Sequence, residues 1–175
     1  LIAVLDDKKA DTSTVYDSKG GRIEYYGRSV KDSNGKGYGK ISLARGFELS
    51  SNTVLVQSVY DSYKNNPKQF VDRINSYGLN KPLGLPIKGE GKPVIPQPGT
   101  NRWSGVALPW MAFGYGLSVT PLQTLTLYNA VANDGVMVKP IFVSEIKEWN
   151  KTIKKFDTQV INPKICSQET LDKVH

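Results

Sequence analysis

Cysteine and histidine are almost absent from this sequence. Cys166 is the only cysteine, and His175, the last of the 175 residues, is the only histidine. A disulfide framework, a cysteine-based metal site and a His-rich zinc site are therefore excluded within the chain. A Ser-His-Asp triad with its histidine inside the domain is excluded too. Any general base must be Lys, Asp, Glu or Tyr, and we expect no metal and no cofactor.

Long apolar runs and long runs of like charge are also missing. No apolar stretch reaches the length of a membrane span, and Leu1 to Leu5 is too short for the core of a signal peptide. The chain begins without methionine inside this stretch, so we expect an excised fragment whose targeting segment, if any, lies upstream. The net charge of +7 is scattered, which favours a solvated basic surface over a nucleic-acid patch.

What remains is ordinary globular composition, with 39% hydrophobic, 10% aromatic and 22% charged residues. Such a balance is typical of a globular domain with a packed core. The length suits one domain or a large part of a bigger one. No internal repeat and no low-complexity segment interrupts the chain.

Helical patterns occur in six stretches. Thr53 to Lys64 is apolar on two faces, which predicts a helix buried on both sides. Thr120-Pro121 is a cap followed by proline at the first helical position, and its helix is expected to run to about Asn133 and to be largely buried. The other helices are predicted at the Leu1 to Leu5 stretch, at Ile41 to Leu49, from Pro67 towards Gly78 and after the cap Ser167.

Extended patterns are shorter. Strands are predicted over Arg22 to Tyr26, Ser29 to Lys31, Val136 to Lys139, Ile141 to Trp149 and Thr152 to Phe156. The last two should form a hairpin that turns at Asn150-Lys151. A turn is expected at Asp32 to Gly37, where Asn-Gly favours left-handed backbone. Asp11 to Gly21 and Gly78 to Arg102 are expected to be irregular.

Ser50-Ser51-Asn52 stands between two of the predicted helices. Ser and Asn compete with the backbone for hydrogen bonds and therefore favour helix ends. A Ser-x-Asn step can end one helix and open the next, which leaves a hydroxyl and an amide at a junction that can face a cleft. Taken alone, plain N-capping is the simpler interpretation.

Two later runs change that interpretation. Residues 113–123 read FGYGLSVTPLQ and residues 128–135 read YNAVANDG, with Lys139-Pro140 after them. Together with Leu43 to Asn52, these runs strongly resemble the class B penicillin-binding proteins, the single-function peptidoglycan transpeptidases of cell division and elongation. Ser50-Ser51-Asn52 falls on the family's Ser-x-Asn motif. A lone Ser-x-Asn is weak evidence, whereas a GYGLSVTPLQ run roughly 65 residues later is strong.

The resemblance implies an α/β (α+β) fold in which residues 1–175 are a partial transpeptidase domain, a mainly helical subdomain with part of the antiparallel sheet. It implies that a serine is acylated by a D-Ala-D-Ala stem peptide and that the acyl group passes to an amine on a neighbouring strand. Beta-lactams would mimic the donor. Ser50 would relay a proton between the catalytic lysine and the leaving amine, and Asn52 would hydrogen-bond that lysine and the substrate's backbone amide.

The resemblance also implies a place in the cell. The parent would act in the cell envelope, at the outer face of the cytoplasmic membrane, anchored by a segment outside this chain. Its expected partners are peptidoglycan stem peptides, beta-lactams and other cell-wall synthesis or division proteins, with no nucleic acid among them.

The family's other two motifs are not found. The nucleophile motif Ser-x-x-Lys matches by its letters at Ser33 to Lys36, in a glycine turn, and at Ser144 to Lys147. The second match lies in a predicted strand, where the odd spacing points the two side chains to opposite faces. We interpret both as chance matches and expect the nucleophile just upstream of Leu1. No Lys-Thr-Gly or Lys-Ser-Gly occurs; that strand is expected beyond the Ser167 helix, so the fragment itself is predicted to be inactive.

Three functions therefore compete. The first is the central part of a class B transpeptidase domain, and the second is a non-catalytic binding or scaffold module that keeps the fold without the nucleophile. The third is a basic nucleic-acid-binding domain, which only the charge supports. Trp103, Trp110 and Trp149 are expected to pack in a core or an interface rather than to stack on sugar.

Overall fold

The computed structural model describes residues 1–175. Most of its helices begin or end where the local sequence favours a helix end. The helices are α1 (Ile2–Asp6), α2 (Leu43–Glu48), α3 (Asn52–Tyr63), α4 (Pro67–Ser76), α5 (Ala107–Met111), α6 (Pro121–Ala132) and α7 (Gln168–Val174). The strands are β1 (Val15–Asp17), β2 (Arg22–Tyr25), β3 (Arg28–Lys31), β4 (Lys40–Ser42), β5 (Met137–Val138), β6 (Glu145–Glu148), β7 (Lys151–Lys155) and β8 (Val160–Asn162). The mixed α/β composition agrees with the prediction. No helix combines the length and the apolarity that crossing a membrane requires.

The strands form four antiparallel pairs, which are β1 with β4, β2 with β3, β5 with β8, and β6 with β7. The chain divides into two compact units. The first unit contains Leu1–Asn75 and Val94–Ser118, and the second contains Ser76–Pro93 and Val119–His175. The Ser-x-Asn step therefore lies in the first unit, and the long capped helix α6 lies in the second.

Helix α3 forms much of the core of the first unit. Val54 and Val56 are completely buried, and Tyr63 is 1% exposed, so the prediction of a helix buried on two faces is confirmed. The aromatic ring of Tyr63 packs on that of Phe70 with the ring centroids 5.2 Å apart. Burial of each such side chain stabilises the fold by roughly 1.5–3 kcal/mol relative to exposure.

Helix α1 is fixed to this core at its C-terminal end. Tyr63 Oη lies 2.9 Å from the carbonyl oxygen of Ala3 and 2.8 Å from Asp7 Oδ2. Arg73 of α4 donates to Asp6 at 2.8 Å and also pairs with Asp7. Both carboxylates are largely buried, with side chains 9% and 4% exposed, so loss of the guanidinium would remove a cation that both of them share. Charged groups removed from water in this way must keep their partners.

The second unit contains the one helix whose burial was predicted wrongly. Helix α6 begins at the predicted Thr120 cap, with a complete capping box between Thr120 and Gln123. Gln123 is 1% exposed, whereas Leu125 and Tyr128 are 61% and 66% exposed. The error arose because apolar residues occur all around this helix. Composition shows that a surface is apolar, but it does not show which side has something to pack against.

The predicted hairpin at the end of the second unit is confirmed, with a shorter first strand. Strand β6 pairs with β7 around the two residues Trp149 and Asn150, so the turn lies one residue earlier than predicted. Ser144 precedes β6 instead of lying within it. Trp149 is 96% exposed and has a φ of 53°; its expected packing is wrong here because the tip of the turn has no neighbouring layer.

Short elements account for the remaining differences. Strands β1 and β8 and helix α5 fall in stretches predicted as irregular or left without an element. The stretch predicted as helix from Ile41 first completes strand β4 and becomes helical only at Leu43. Strand β4 pairs with β1, and β8 pairs with β5, so each of these strands depends on a partner distant in sequence. Periodicity over three residues carries too little signal to reveal such pairs.

Gly46 provides a test of how closely α2 and α3 approach. A Cβ added at Gly46 would lie 2.4 Å from Val54 Cγ1 and 2.9 Å from Val54 Cβ. We expect Gly46→Ala to lower the free energy of unfolding by about 1–3 kcal/mol, because a β-branched neighbour cannot move out of the way. Chemical denaturation measures the change.

The control for this prediction is Gly46→Ala combined with Val54→Ala, in which the obstructing methyl groups are gone. The double variant should be more stable than the sum of the two single losses implies. Simple additivity would mean that the loss caused by Gly46→Ala does not come from its contact with Val54.

Candidate functional site

The candidate site is the junction between α2 and α3. Helix α2 ends in a Schellman motif, in which Ser50 N donates to Phe47 O at 2.9 Å and Ser51 N donates to Gly46 O at 2.8 Å. Ser50 is the residue directly after the C-cap Leu49, and it adopts left-handed backbone with a φ of 52°. Glycine is the usual residue at this position because it has no Cβ.

Ser50 therefore carries conformational strain. A left-handed residue with a side chain costs roughly 1–2 kcal/mol relative to right-handed backbone. Its side chain is exposed, so no buried contact of the side chain compensates for this cost. The Schellman hydrogen bonds hold this conformation, and strained backbone of this kind is concentrated at functional sites.

Ser51, not Ser50 or Asn52, is the residue that caps α3. Its hydroxyl accepts a hydrogen bond from Val54 N at 3.3 Å, and its own backbone is extended. Ser51 is completely buried. Plain N-capping thus explains the middle residue of the Ser-x-Asn step and leaves the two outer residues unexplained.

Below the junction lies a buried carboxylate, that of Asp32, which is 3% exposed. Ser51 Oγ lies 3.2 Å and 3.1 Å from its two oxygens. Thr53 donates to it twice, from N at 2.9 Å and from Oγ1 at 2.9 Å. These donors, together with the positive end of the α3 dipole, compensate for the charge. We call this group of Asp32, Ser51 and Thr53 the Asp32 anchor.

Asn52 is fixed by a different contact. Its Nδ2 donates to the carbonyl oxygen of Lys31 at 2.8 Å, and the residue is partly exposed. Lys31 is the last residue of β3, directly before Asp32. The hairpin of β2 and β3 therefore contacts three consecutive residues of the junction, Ser51 to Thr53.

The turn that follows β3 is itself tightly built. Asp32 N donates to Gly21 O at 2.9 Å, and Gly35 N donates to Asp32 O at 3.1 Å. A Cβ added at Gly21 would lie 2.4 Å from the backbone nitrogen of Gly37, and one at Gly37 would lie 2.3 Å from that of Gly21. Two backbone segments thus cross where only glycine fits, and this crossing fixes the position of Asp32.

The other end of the same hairpin also contacts α3. The centroids of the Tyr25 and Tyr60 rings lie 4.6 Å apart, and Tyr26 Oη lies 3.2 Å from Tyr60 Oη. A Cβ at Gly105 would lie 3.0 Å from the ring of Tyr26. Burial, with a further contribution from the Asp61 charge, raises the pKa of the Tyr25 phenol well above its ordinary value. The Tyr25 phenol therefore stays neutral at physiological pH, and the three rings act as packing groups.

The structure does not support either Ser-x-x-Lys match as a nucleophile motif. Ser33 is exposed in the turn after β3, where the side chain of Asn34 accepts hydrogen bonds from Lys36 N at 3.1 Å and from Gly37 N at 2.9 Å. Lys147 pairs with Glu145 at 2.7 Å and lies beyond a bulge in β6. Neither lysine lies one helical turn after its serine, as activation of a serine by lysine in this motif requires.

Sequence reasoning missed the Asp32 anchor. Asp32 was interpreted as a turn residue, and only its contacts to Ser51 and Thr53, 19 and 21 residues later, show its second role. The signal available in the sequence was the pair of hydroxyl residues on either side of Asn52. No group of three or more His, Cys, Asp or Glu that could hold a metal ion occurs in residues 1–175.

The arrangement of helices and strands is that of the serine transpeptidase fold of penicillin-binding proteins. The model of the penicillin-binding protein transpeptidase domain matches residues 1–175. The chain therefore belongs to the penicillin-binding protein transpeptidase-domain family.

Individual relatives agree with this assignment. The penicillin-binding protein PbpB of Mycobacterium tuberculosis is 32% identical over 120 residues, which are 69% of this chain and 17% of that protein. The peptidoglycan D,D-transpeptidase FtsI of Escherichia coli K12 is 34% identical over 76 residues, which are 43% of this chain and 12% of that protein. The chain thus spans less than a fifth of the length of these relatives.

Solved structures show the same fold. The D,D-transpeptidase domain of a peptidoglycan glycosyltransferase from Eggerthella lenta superposes with a TM-score of 0.85 at 25% identity, covering 99% of this chain and 44% of that chain. Penicillin-binding protein A from M. tuberculosis, in a ceftriaxone acyl-enzyme complex, gives a TM-score of 0.81 at 18% identity, covering 99% and 38%.

The different roles of the two serines can be tested by stability. Ser51→Ala removes the cap of α3 and a donor to the buried carboxylate, so we expect the free energy of unfolding to fall by about 1–2 kcal/mol. Ser50→Ala at the exposed neighbour should change it by less than about 0.5 kcal/mol. Urea denaturation of both variants gives the comparison, and a larger loss at Ser50 would show that its hydroxyl has a structural role.

Proposed function

We propose that this chain is part of a serine-type peptidoglycan D,D-transpeptidase of class B, in which Ser50 and Asn52 are active-site residues. The observation that carries the proposal is the junction between α2 and α3 in a chain that matches the family model throughout. There the capping role falls to Ser51. The Ser50 hydroxyl is exposed on strained backbone, and the Asn52 amide is oriented by one hydrogen bond.

In the proposed reaction, a nucleophilic serine attacks the carbonyl of the D-Ala-D-Ala bond of a stem peptide, and the terminal D-alanine leaves. An amine of a neighbouring strand then attacks the acyl-enzyme, which forms the cross-link and regenerates the serine. A serine hydroxyl needs a base to take its proton. Ser50 passes that proton between the base, a lysine, and the leaving amine, while Asn52 binds the lysine and the substrate amide.

The nucleophile and its lysine are proposed to lie outside residues 1–175, as is the Lys-Thr-Gly strand. Neither Ser-x-x-Lys match of this chain is helical, and the chain covers only 17% of PbpB and 12% of FtsI. Beta-lactams would acylate the same nucleophile. The proposed parent acts in the cell envelope, at the outer face of the cytoplasmic membrane, with other cell-wall synthesis or division proteins.

Labelling with a fluorescent penicillin tests this function. The longer protein that contains the chain should form a stoichiometric adduct, whereas residues 1–175 alone should form none, because acylation needs a serine activated by a lysine one helical turn away. Mass spectrometry after incubation shows both. An adduct of the 175-residue chain mapped to Ser50, Ser33 or Ser144 would place the nucleophile elsewhere than proposed, and a folded parent that does not label would favour a non-catalytic scaffold.

The roles of the two site residues are tested in the labelled parent. Ser50→Ala should lower the acylation rate constant by about 100-fold or more, the scale on which a positioned proton-transfer group contributes. Asn52→Ala should also lower it. Ser33→Ala and Ser144→Ala are the matched controls and should acylate at the parent rate; unchanged acylation by Ser50→Ala would contradict the relay role.

A further inference from the structure

The strain at Ser50 has a counterpart elsewhere in the same unit. Helix α1 ends in the same Schellman motif, in which Lys8 N donates to Leu5 O at 3.0 Å and Lys9 N donates to Val4 O at 3.0 Å. Lys8 has a φ of 52°, the same as Ser50. The chain thus contains one left-handed helix end at the candidate site and a matched one away from it.

The backbone that follows is different at the two helix ends. After Lys8 the chain enters a loop. After Ser50 it enters the buried Asp32 anchor at once, because Ser51 and Thr53 both bind the carboxylate. Ser51 also accepts the hydrogen bond of Val54 N. The residues on each side of Asn52 therefore point inward, and the chain cannot shift without breaking buried hydrogen bonds.

We propose that Asp32 is a positioning residue: through Ser51 and Thr53 it holds Ser50 in its left-handed conformation and so presents the Ser50 hydroxyl together with the Asn52 amide. The functional part of this proposal rests on the relay role of Ser50 proposed above. Glycine would remove the strain at this position, but it would also remove the hydroxyl. The Schellman hydrogen bonds already favour the left-handed conformation of Ser50, as they do at Lys8. The Asp32 anchor adds a second constraint at Ser50, because Ser51 and Thr53 cannot shift without breaking buried hydrogen bonds.

This proposal has a thermodynamic signature that does not depend on activity. If the Asp32 anchor holds Ser50 in the strained conformation, loss of the anchor lets the junction relax and the strain disappears. Ser50→Gly then relieves strain in the native protein but has little left to relieve once the anchor is weakened. If Asp32 only contributes general stability, the two changes act independently and their effects add.

The experiment is a double-mutant cycle followed by thermal unfolding. Ser50→Gly should raise Tm by about 2 °C in the native background. In an Asp32→Asn background, where the amide supplies one acceptor oxygen instead of two, the gain should fall to less than half. Lys8→Gly is the matched control, whose effect on Tm should be the same in both backgrounds. Equal gains from Ser50→Gly in both backgrounds would overturn the proposal.

A milder change keeps the test decisive if Asp32→Asn does not fold. Thr53→Val removes one hydroxyl donor to the carboxylate and leaves the backbone donor in place. The gain from Ser50→Gly should again shrink in this background. A gain equal to that in the native background would contradict the proposal as clearly as in the first cycle.

Activity gives the second readout, in the longer protein that contains this chain. Asp32→Asn, measured well below its own Tm, should lower the rate constant of acylation by fluorescent penicillin at least tenfold. Glu90→Gln is the control, because Glu90 also accepts two backbone hydrogen bonds, from Leu83 and Leu85, and should leave the rate unchanged. Folded Asp32→Asn protein that acylates at the native rate would overturn the positioning role.

Failure of the proposed function remains distinguishable from failure of this inference. A native protein that does not label contradicts the transpeptidase assignment, while the double-mutant cycle still decides whether Asp32 holds Ser50. A native protein that labels, together with an additive cycle, contradicts only the positioning role of Asp32.

Discussion

The buried carboxylate of Asp32 is the interaction on which the candidate site depends. A carboxylate removed from water costs several kcal/mol unless it is paired or fully hydrogen-bonded. Here the compensation comes from the hydroxyls of Ser51 and Thr53 and from the Thr53 amide at the start of α3. None of these groups can move away without exposing the full desolvation cost, so the hairpin of β2 and β3 and the helix α3 form one rigid support.

This support explains why glycine occupies positions 21 and 37. Asp32 reaches α3 only if its turn lies close to the segment before β2, and Gly21 and Gly37 cross there at a distance that excludes any Cβ. At the opposite end of the hairpin, Tyr26 packs against Gly105. Each close approach fixes one end of the hairpin, so the carboxylate position follows from backbone contacts far from the junction itself.

The sequence predicts those parts of this arrangement that depend on neighbouring residues. The Thr120 cap with proline after it and the Ser167 cap both form as expected, because a cap bonds backbone groups two or three residues away. Helix α3 is predicted by its own periodicity. The prediction that the Ser-x-Asn step ends one helix and opens the next is confirmed. These features depend only on neighbouring residues, so the sequence alone predicts them.

The parts that were missed or wrong depend on distant residues. In the sequence Asp32 is an ordinary turn residue, and only its hydrogen bonds with Ser51 and Thr53 show its second role. Strand β8 likewise forms only because it pairs with β5. Helix α6 has apolar residues on every side, yet the buried side carries Gln123 and Thr126. Their polar groups bond to backbone carbonyls, Gln123 to Lys81 and Thr126 to Leu122. Satisfied polar groups can be buried, and hydrophobicity patterns alone do not detect them.

The middle residue of the Ser-x-Asn step is therefore not arbitrary in this chain. Its backbone N–H closes the Schellman motif of α2. Its side chain accepts the hydrogen bond of Val54 N and donates to a buried carboxylate. A hydroxyl does both through a single oxygen atom, whereas a carboxylate only accepts and would repel Asp32. Because Ser51 takes over the structural work, Ser50 and Asn52 carry no capping duty, and a strained serine can persist at a position where stability alone would select glycine.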